Sequence, residues 1–367
     1  MNSYRLAPLA LVLGIAFFGC NKKGSDEKKD DDKEEGSAKP SGSAASKKPK
    51  REKNAASPVV QLAEKVVKDC KWERGWFDND CKVYDEWGDK REEQREDGKA
   101  DADLVSLLGD ERPAMRFLGA AALSSSGEKY KTDAGLAEEI IAVAEKEADD
   151  FVLGELGEVV ARIDFGKTKL LDRTKALMKD GASPKLRAPF FSNVGFSNRD
   201  DQTIEAALRD MTLAAAASSD NALRAAVMRG LMWFDVSDPI CAAWAKGAAD
   251  PKTDVVEAAL DRGASKCPKS FDAFLGAVDK AQKPLFSVTY PKVLSEVCAK
   301  GSPEQKKRAQ AMAEDIAETS KSWMSRAEAL RAVNACDKNA GKALAKKLGK
   351  DESADVKKEA DKILKGS

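Results

Sequence analysis

The chain has 367 residues with 62 basic and 62 acidic side chains, a formal net charge of zero, which argues against a nucleic-acid footprint, since that needs Lys and Arg in excess on one face. Histidine is absent, which excludes Ser-His and Cys-His nucleophile pairs and His-based zinc sites. Ala, Leu and charged residues dominate, aromatics are 6%, and β-branched runs of period two are scarce, so helices are favoured over strands.

The N-terminus opens with Arg5 and the apolar run Leu6–Phe18. That run has signal-peptide length and falls short of the roughly 20 residues a membrane span needs. It predicts an export signal over 1–19. From Asn21 to Ser57 the chain mixes both charge signs with Ser, Gly, Ala and Pro, and has almost no apolar residues. Such a tract cannot offset the entropy of ordering and reads as a disordered tether over 20–57. Within it, "KKPKREK" offers the alternative of docking on anionic lipid or polymer.

The junction Phe17-Phe18-Gly19-Cys20 resembles the bacterial lipoprotein signal. The resemblance implies cleavage before Cys20, acylation of its thiol and a membrane anchor, although Phe17 and Phe18 depart from the usual Leu and small residue. The alternative is an ordinary secretory cleavage after Ala16. Stable anchoring takes more than one acyl chain, and the resemblance implies three. Asn21 following the cysteine implies an exported lipoprotein of the outer membrane facing the periplasm.

Residues 58–98 follow no repeat. Cys70 and Cys81 bracket "KWERGWFDND", and Trp72, Trp76 and Trp87 are half of the tryptophans. This predicts a disulfide-stapled helical cap with the tryptophans as its small core. The alternative is an aromatic platform for a glycan or peptide. The acidic stretches "FDNDC" and "EDGKADAD" lack the calcium-loop pattern and read as surface and linker, so no metal site is expected.

From residue 99 to the C-terminus one grammar recurs: a cap residue, a charged residue at the start of a second helix, then an apolar face. Arg116, Arg187, Arg224, Glu257, Arg326 and Lys357 mark six units. Two weaker units, from Asp149 and from Pro284, fill the double steps and give a period of 31–37 residues. The cores "DERPAMRFLGAAAL" and "SDNALRAAVMRGL" resemble HEAT-type repeats, which implies an all-α, right-handed α-solenoid of about eight helix pairs. Glu257 and Lys357 depart from the Arg position, and Pro291 would kink or break its helix. The arginines read as bridges to a neighbouring repeat's Asp, with a basic ligand ladder as the alternative.

An exported chain with six further cysteines suggests disulfides. Their places at helix ends favour Cys70–Cys81, Cys241–Cys267 and Cys298–Cys336, with Cys267–Cys298 the competing choice and buried free thiols the alternative. No catalytic constellation or cofactor motif is present. The expectation is a lipid-anchored envelope protein, held to the membrane by acyl chains on Cys20, whose solenoid serves as a scaffold for another envelope protein. The alternatives are a cell-wall glycan-binding protein, or an enzyme acting on glycan through paired carboxylates.

Overall fold

The computed structural model describes residues 51–367 apart from 74, 79, 95–97, 282–286 and 367. The leader, Cys20 and the tether up to residue 50 lie outside the described residues, as does the start of the unit at Pro284.

The cap comprises α1 (Pro58–Asp69), an antiparallel pair β1 (Trp72–Glu73) and β2 (Trp76–Phe77), and α2 (Lys82–Glu93). The segment bracketed by the two cysteines is thus a minimal hairpin rather than helix, with Trp72 facing Phe77 across the pair. Gly75 turns it at φ +80°, which glycine adopts without a Cβ penalty. Cys70 and Cys81 close its base.

Eight helix pairs follow among the described residues: α3 (Lys99–Leu107) with α4 (Pro113–Ser126), α5 (Ala134–Ala144) with α6 (Asp150–Ala161), and, after the one-turn α7 (Phe165–Thr168), α8 (Leu171–Leu177) with α9 (Pro184–Asn193). Then come α10 (Gln202–Ala215) with α11 (Asn221–Gly230), α12 (Asp238–Gly247) with α13 (Thr253–Lys266), and α14 (Phe271–Lys280) with α15 (Thr289–Lys300). The last two are α16 (Pro303–Thr319) with α17 (Trp323–Cys336) and α18 (Lys338–Leu348) with α19 (Ala354–Lys365). The fold is an α-solenoid. Helix starts follow from local chemistry: Asp133, Asp149, Asp201, Asp220 and Asp337 accept backbone N–H groups as N-caps, and Ser302 with Gln305 forms a capping box. Pro291 is the third residue of α15, in a first turn whose N–H groups have no intrahelical partner, so the helix continues through it.

Each second helix packs on the second helix before and after it, from α4 through α6, α9, α11, α13, α15 and α17 to α19, whereas successive first helices touch much less. The closer-packed row is the inner side of the stack. Crossings on this row are tight. A Cβ on Gly230 of α11 would stand 1.7 Å from the carbonyl oxygen of Phe191 on α9. Two disulfides tie the later repeats, Cys241–Cys267 within one pair and Cys298–Cys336 between α15 and α17. These are the pairs that placement at helix ends favours.

The arginine positions are inter-repeat staples. Arg116 donates through Nε and Nη2 to Glu147 at 2.6 and 2.8 Å, Arg224 to Asp250 at 2.8 and 3.0 Å, and Arg326 to Asp351 at 2.9 and 2.8 Å. In each case Nη1 donates to two backbone carbonyls of the preceding turn, at 110 and 111, 218 and 219, or 320 and 321. Each acid also accepts N–H groups of its own turn, so one carboxylate both shapes the next helix start and holds the previous repeat. Arg187 is the exception. The corresponding acid position in the next repeat holds Ser218, and Arg187 turns back to Asp180 at 2.8 Å. One register correction follows. N-caps at 220, 252 and 322 place Arg224, Val256 and Arg326 four residues on. The equivalent residue in α13 is therefore Val256, and Glu257 lies one residue beyond the frame.

Candidate functional site

The first two repeats have a covered inner face. Phe117 of α4 and Phe151 of α6, the latter still 44% exposed, pack against the cap, with the Trp72 ring centroid 6.2 and 6.5 Å away. Phe77 stacks on Tyr84 at 5.7 Å, and Tyr84 lies 5.9 Å from Trp87. The hairpin turn rests on Phe151, since a Cβ on Gly75 would meet that ring at 2.5 Å. The three tryptophans therefore part company. Trp87 is 1% exposed and belongs to the core, Trp72 is half-buried in the aromatic cluster, and Trp76 is 73% exposed. No three-tryptophan platform exists, and Trp76 alone of the three presents its ring to solvent.

Beyond the cap, an aromatic and cationic cluster that sequence reasoning missed sits just past the C-terminal ends of the second helices α9 and α11. Phe196 and Trp233 both stand thirteen residues past their N-caps, Ser183 and Asp220. They meet edge to face at 5.1 Å, and the Arg199 guanidinium lies 5.7 Å from the Trp233 ring centroid. Trp233 Nε1 donates to the Ser192 carbonyl at 2.8 Å, which fixes the indole. Phe196 stays 61% exposed. A fixed indole, an exposed phenyl ring and a stacked guanidinium have the composition of a protein-binding hot spot.

Cations continue along the row. Burial pushes the Arg229 guanidinium below its ordinary range, Asp254 counters this, and Arg262 adds to it. Lys266 Nζ donates to the Met232 carbonyl at 3.0 Å and Lys300 Nζ to the Ser265 carbonyl at 2.9 Å. Each ties the end of one second helix to the end of the one before it, where helical carbonyls lack partners.

Two carboxyls are raised by burial. Asp101, in the stretch read as surface, is buried and accepts the Tyr130 N–H at 2.9 Å. Burial and then Glu158 raise Glu155, which accepts from Ser124 Oγ at 3.0 Å. A cavity of about 630 Å³ is lined by Arg51, Lys53, Asp110 and Arg112 among others, and Glu155 is not among its walls. There Lys53 pairs with Asp110 and Glu64, and Arg51 makes a two-pronged contact with Glu139 at 2.9 Å. These two members of "KKPKREK" are therefore engaged within the protein rather than free for lipid or polymer. Asp110 sits two residues before its N-cap, as Glu147, Asp250 and Asp351 do, and it is held by Lys53 from the preceding segment together with Arg112 of its own turn. Among the described residues no group of three or more His, Cys, Asp or Glu is placed to hold a metal ion, and no helix is long and apolar enough to cross a membrane.

No protein-family model matches the chain, and no curated protein does. Solved structures do. An engineered protein is 17% identical with a TM-score of 0.47, covering 83% of this chain and 87% of that one. Kap121p is 11% identical with a TM-score of 0.49, and importin beta 10% identical with a TM-score of 0.43. The match covers 83% of this chain in both cases, but only 40% of Kap121p and 50% of importin beta.

Proposed function

We propose that this protein is a lipid-anchored scaffold of the bacterial envelope whose inner helix row holds another protein. The observation that carries the reading is the Phe196–Trp233–Arg199 cluster at the ends of α9 and α11, second helices of that row, with Phe196 61% exposed. In this reading Cys20 carries the acyl chains, residues 21–50 set the reach from the outer membrane into the periplasm, since Arg51 and Lys53 are already engaged with the folded repeats, and the solenoid performs contact rather than catalysis. The three disulfides accord with an exported protein.

A photo-reactive amino acid at position 196, compared in cells with one at Lys246 on the outer helix α12, tests the docking face. A discrete adduct from 196 alone, weakened by Trp233→Ala, is the expected result. Equal adducts from both positions would refute a defined inner-face site. Palmitate labelling of the wild-type chain, absent in Cys20→Ser, tests the anchor separately. Trp76 keeps one alternative in play, a glycan contact at the cap. Peptidoglycan pull-down that vanishes in Trp76→Ala would favour it over the inner row.

A further inference from the structure

Helix α18 differs from every other first helix. It contains Lys338, Lys342, Lys346 and Lys347 and no acidic residue. Lys338, Lys342 and Lys346 recur every four residues on the exposed side, opposite the buried Gly341, Leu344, Ala345 and Leu348, and Lys350 follows in the turn. The row from Lys338 to Lys350 is about 18 Å long at 1.5 Å per residue. Lys347 is held by Glu318 at 2.7 Å, whereas Lys338, Lys342, Lys346 and Lys350 have no ion pair or hydrogen bond among the described residues. The acids of this repeat are largely committed elsewhere. Asp337 caps α18, Asp351 and Glu352 hold Arg326, and Glu359 holds Arg331 and Lys362. Residues 337–366 carry nine lysines against six acids in a chain of zero net charge.

We propose that this lysine row docks the solenoid on an anionic bilayer surface. Lysine is a hydrated point charge without the planar fork that recognises a defined carboxylate or phosphate, and it is depleted at protein interfaces. The row has no exposed aromatic or large apolar neighbour on its own helix to act as an anchor for a protein. A diffuse field of lipid headgroups is the ligand such a row fits, and one that acts on it as soon as it lies within a Debye length. The proposal rests on the membrane anchoring proposed above, which keeps the solenoid within tens of ångströms of a bilayer. Because α18 belongs to the outer row, docking leaves the inner row accessible.

The test uses the chain from residue 20 onward as Cys20→Ser, so that no acyl chain contributes. Co-sedimentation is measured with vesicles of phosphatidylethanolamine and 30% phosphatidylglycerol, and with pure phosphatidylcholine. Binding to the anionic vesicles in 50 mM NaCl, lost in 500 mM and absent on phosphatidylcholine, is expected. At roughly fivefold per lysine, Lys338→Gln/Lys342→Gln/Lys346→Gln weakens it by roughly 100-fold. The equal charge change Lys357→Gln/Lys358→Gln/Lys365→Gln on α19 has a much smaller effect. Equal losses in both variants would overturn the assignment to α18, and no vesicle binding would overturn the proposal outright. Preference for polyglutamate over the anionic vesicles would replace the bilayer by an acidic protein. Adduct formation from position 196 does not depend on this row, so failure here and failure of the scaffold reading are told apart.

Discussion

Removing Arg326 tests whether the staples hold the repeats together. The Arg326 and Asp351 side chains are 7% and 8% exposed, and the guanidinium also satisfies the carbonyls of Ser320 and Lys321. Arg326→Ala strands a buried carboxylate and two carbonyls. Breaking a buried pair from one side costs about 3–5 kcal/mol. Because Asp351 keeps the Ser353 N–H at 2.8 Å, about 3 kcal/mol is expected. Repeat arrays couple only to neighbours, so the loss falls on the terminal pair, α18 and α19. Hydrogen exchange of α19 amides should accelerate by about 100-fold, from about 1.4 kcal/mol per decade. Arg187 is the internal control, equally buried but paired to Asp180, whose side chain is 94% exposed. Double-mutant cycles should give about 2 kcal/mol of coupling for Arg326 with Asp351, and no more than about 0.5 kcal/mol for Arg187 with Asp180. Equal couplings, or α19 protection within threefold of wild type in Arg326→Ala, would refute the staple as the joint.

The same pair sets a pH dependence. Burial pushes the Asp351 carboxyl up, but the Arg326 hydrogen bonds, the Ser353 N–H and the charges of Arg326 and Lys357 together outweigh it, so it lies below its ordinary value. A folded-state pKa below the unfolded one contributes stability that is complete above the unfolded value, near 4, and is lost as pH falls through the folded one. With no histidine, the Asp351 contribution should appear as a fall in urea midpoint below about pH 4. Asp101 has the opposite sign, because burial raises it and its contribution fades as pH rises through that raised value. Asp101→Asn, which keeps an acceptor for the Tyr130 N–H, should be neutral or stabilising by up to about 1 kcal/mol at pH 7, while Asp101→Ala should cost about 2 kcal/mol; the reverse order in urea midpoints would count against the buried-charge argument. Gly230→Ala should cost about 3 kcal/mol, because backbone at 1.7 Å cannot yield as a side chain does. Gly154→Ala, with nothing within 4 Å, should stabilise α6 by about 0.5–1 kcal/mol in the same measurement. Replacing Cys298 and Cys336 by Ser should cost about 4 kcal/mol and replacing Cys70 and Cys81 about 3 kcal/mol, since the closed loops span 38 and 11 residues; a larger loss for the shorter loop would point to packing rather than chain entropy.

Much of the repeat frame was legible because it is written locally. A cap residue, a proline in the first turn and an arginine four residues past the cap are short-range signals, and they recover eight pairs. The acids of the staples were harder to see. Glu147, Asp250 and Asp351 each precede the next N-cap by two residues, in "EAD", "DPK" and "DES", but they lie 25–31 residues from their arginines. Aligning Glu257 by charge lost the frame by one residue, because the turn geometry at Asp250 sets the register and charge similarity does not. In the cap, two-residue strands are too short to show a period, so nothing in the sequence separated Trp76 from Trp72 and Trp87. Phe196 and Trp233 escaped notice for a related reason. Large apolar residues at a helix end read as core, and only the structure shows Phe196 exposed against a half-buried Trp233.

Zero net charge concealed the arrangement that matters most for function. Charge balance over a chain says nothing about where unpaired charge remains. Here acids are consumed where repeats join, by Arg116, Arg224 and Arg326, and at the N-terminal end by Lys53 and Arg112. Each staple neutralises one acid and one base, so it leaves the balance unchanged while removing both from the outward field. What remains is set by the helices that take no part. Among the first helices α18 alone joins several lysines with no acid of its own, and its one staple-like contact, Lys347 with Glu318, lies off the row. The inner row follows the reverse pattern. Several of its cations are tied to carbonyls, as Lys266 and Lys300 are, or lie beside acids, as Arg229 does, and its exposed apolar residues include Phe196, Trp323 and Met324. The two rows therefore offer different chemistry: aromatic contact on the inside, where shape decides, and a free cationic row on the outside, where a charged surface without fixed shape suffices. If both proposals hold, one solenoid would meet a partner and a bilayer at once without either competing for the other's residues.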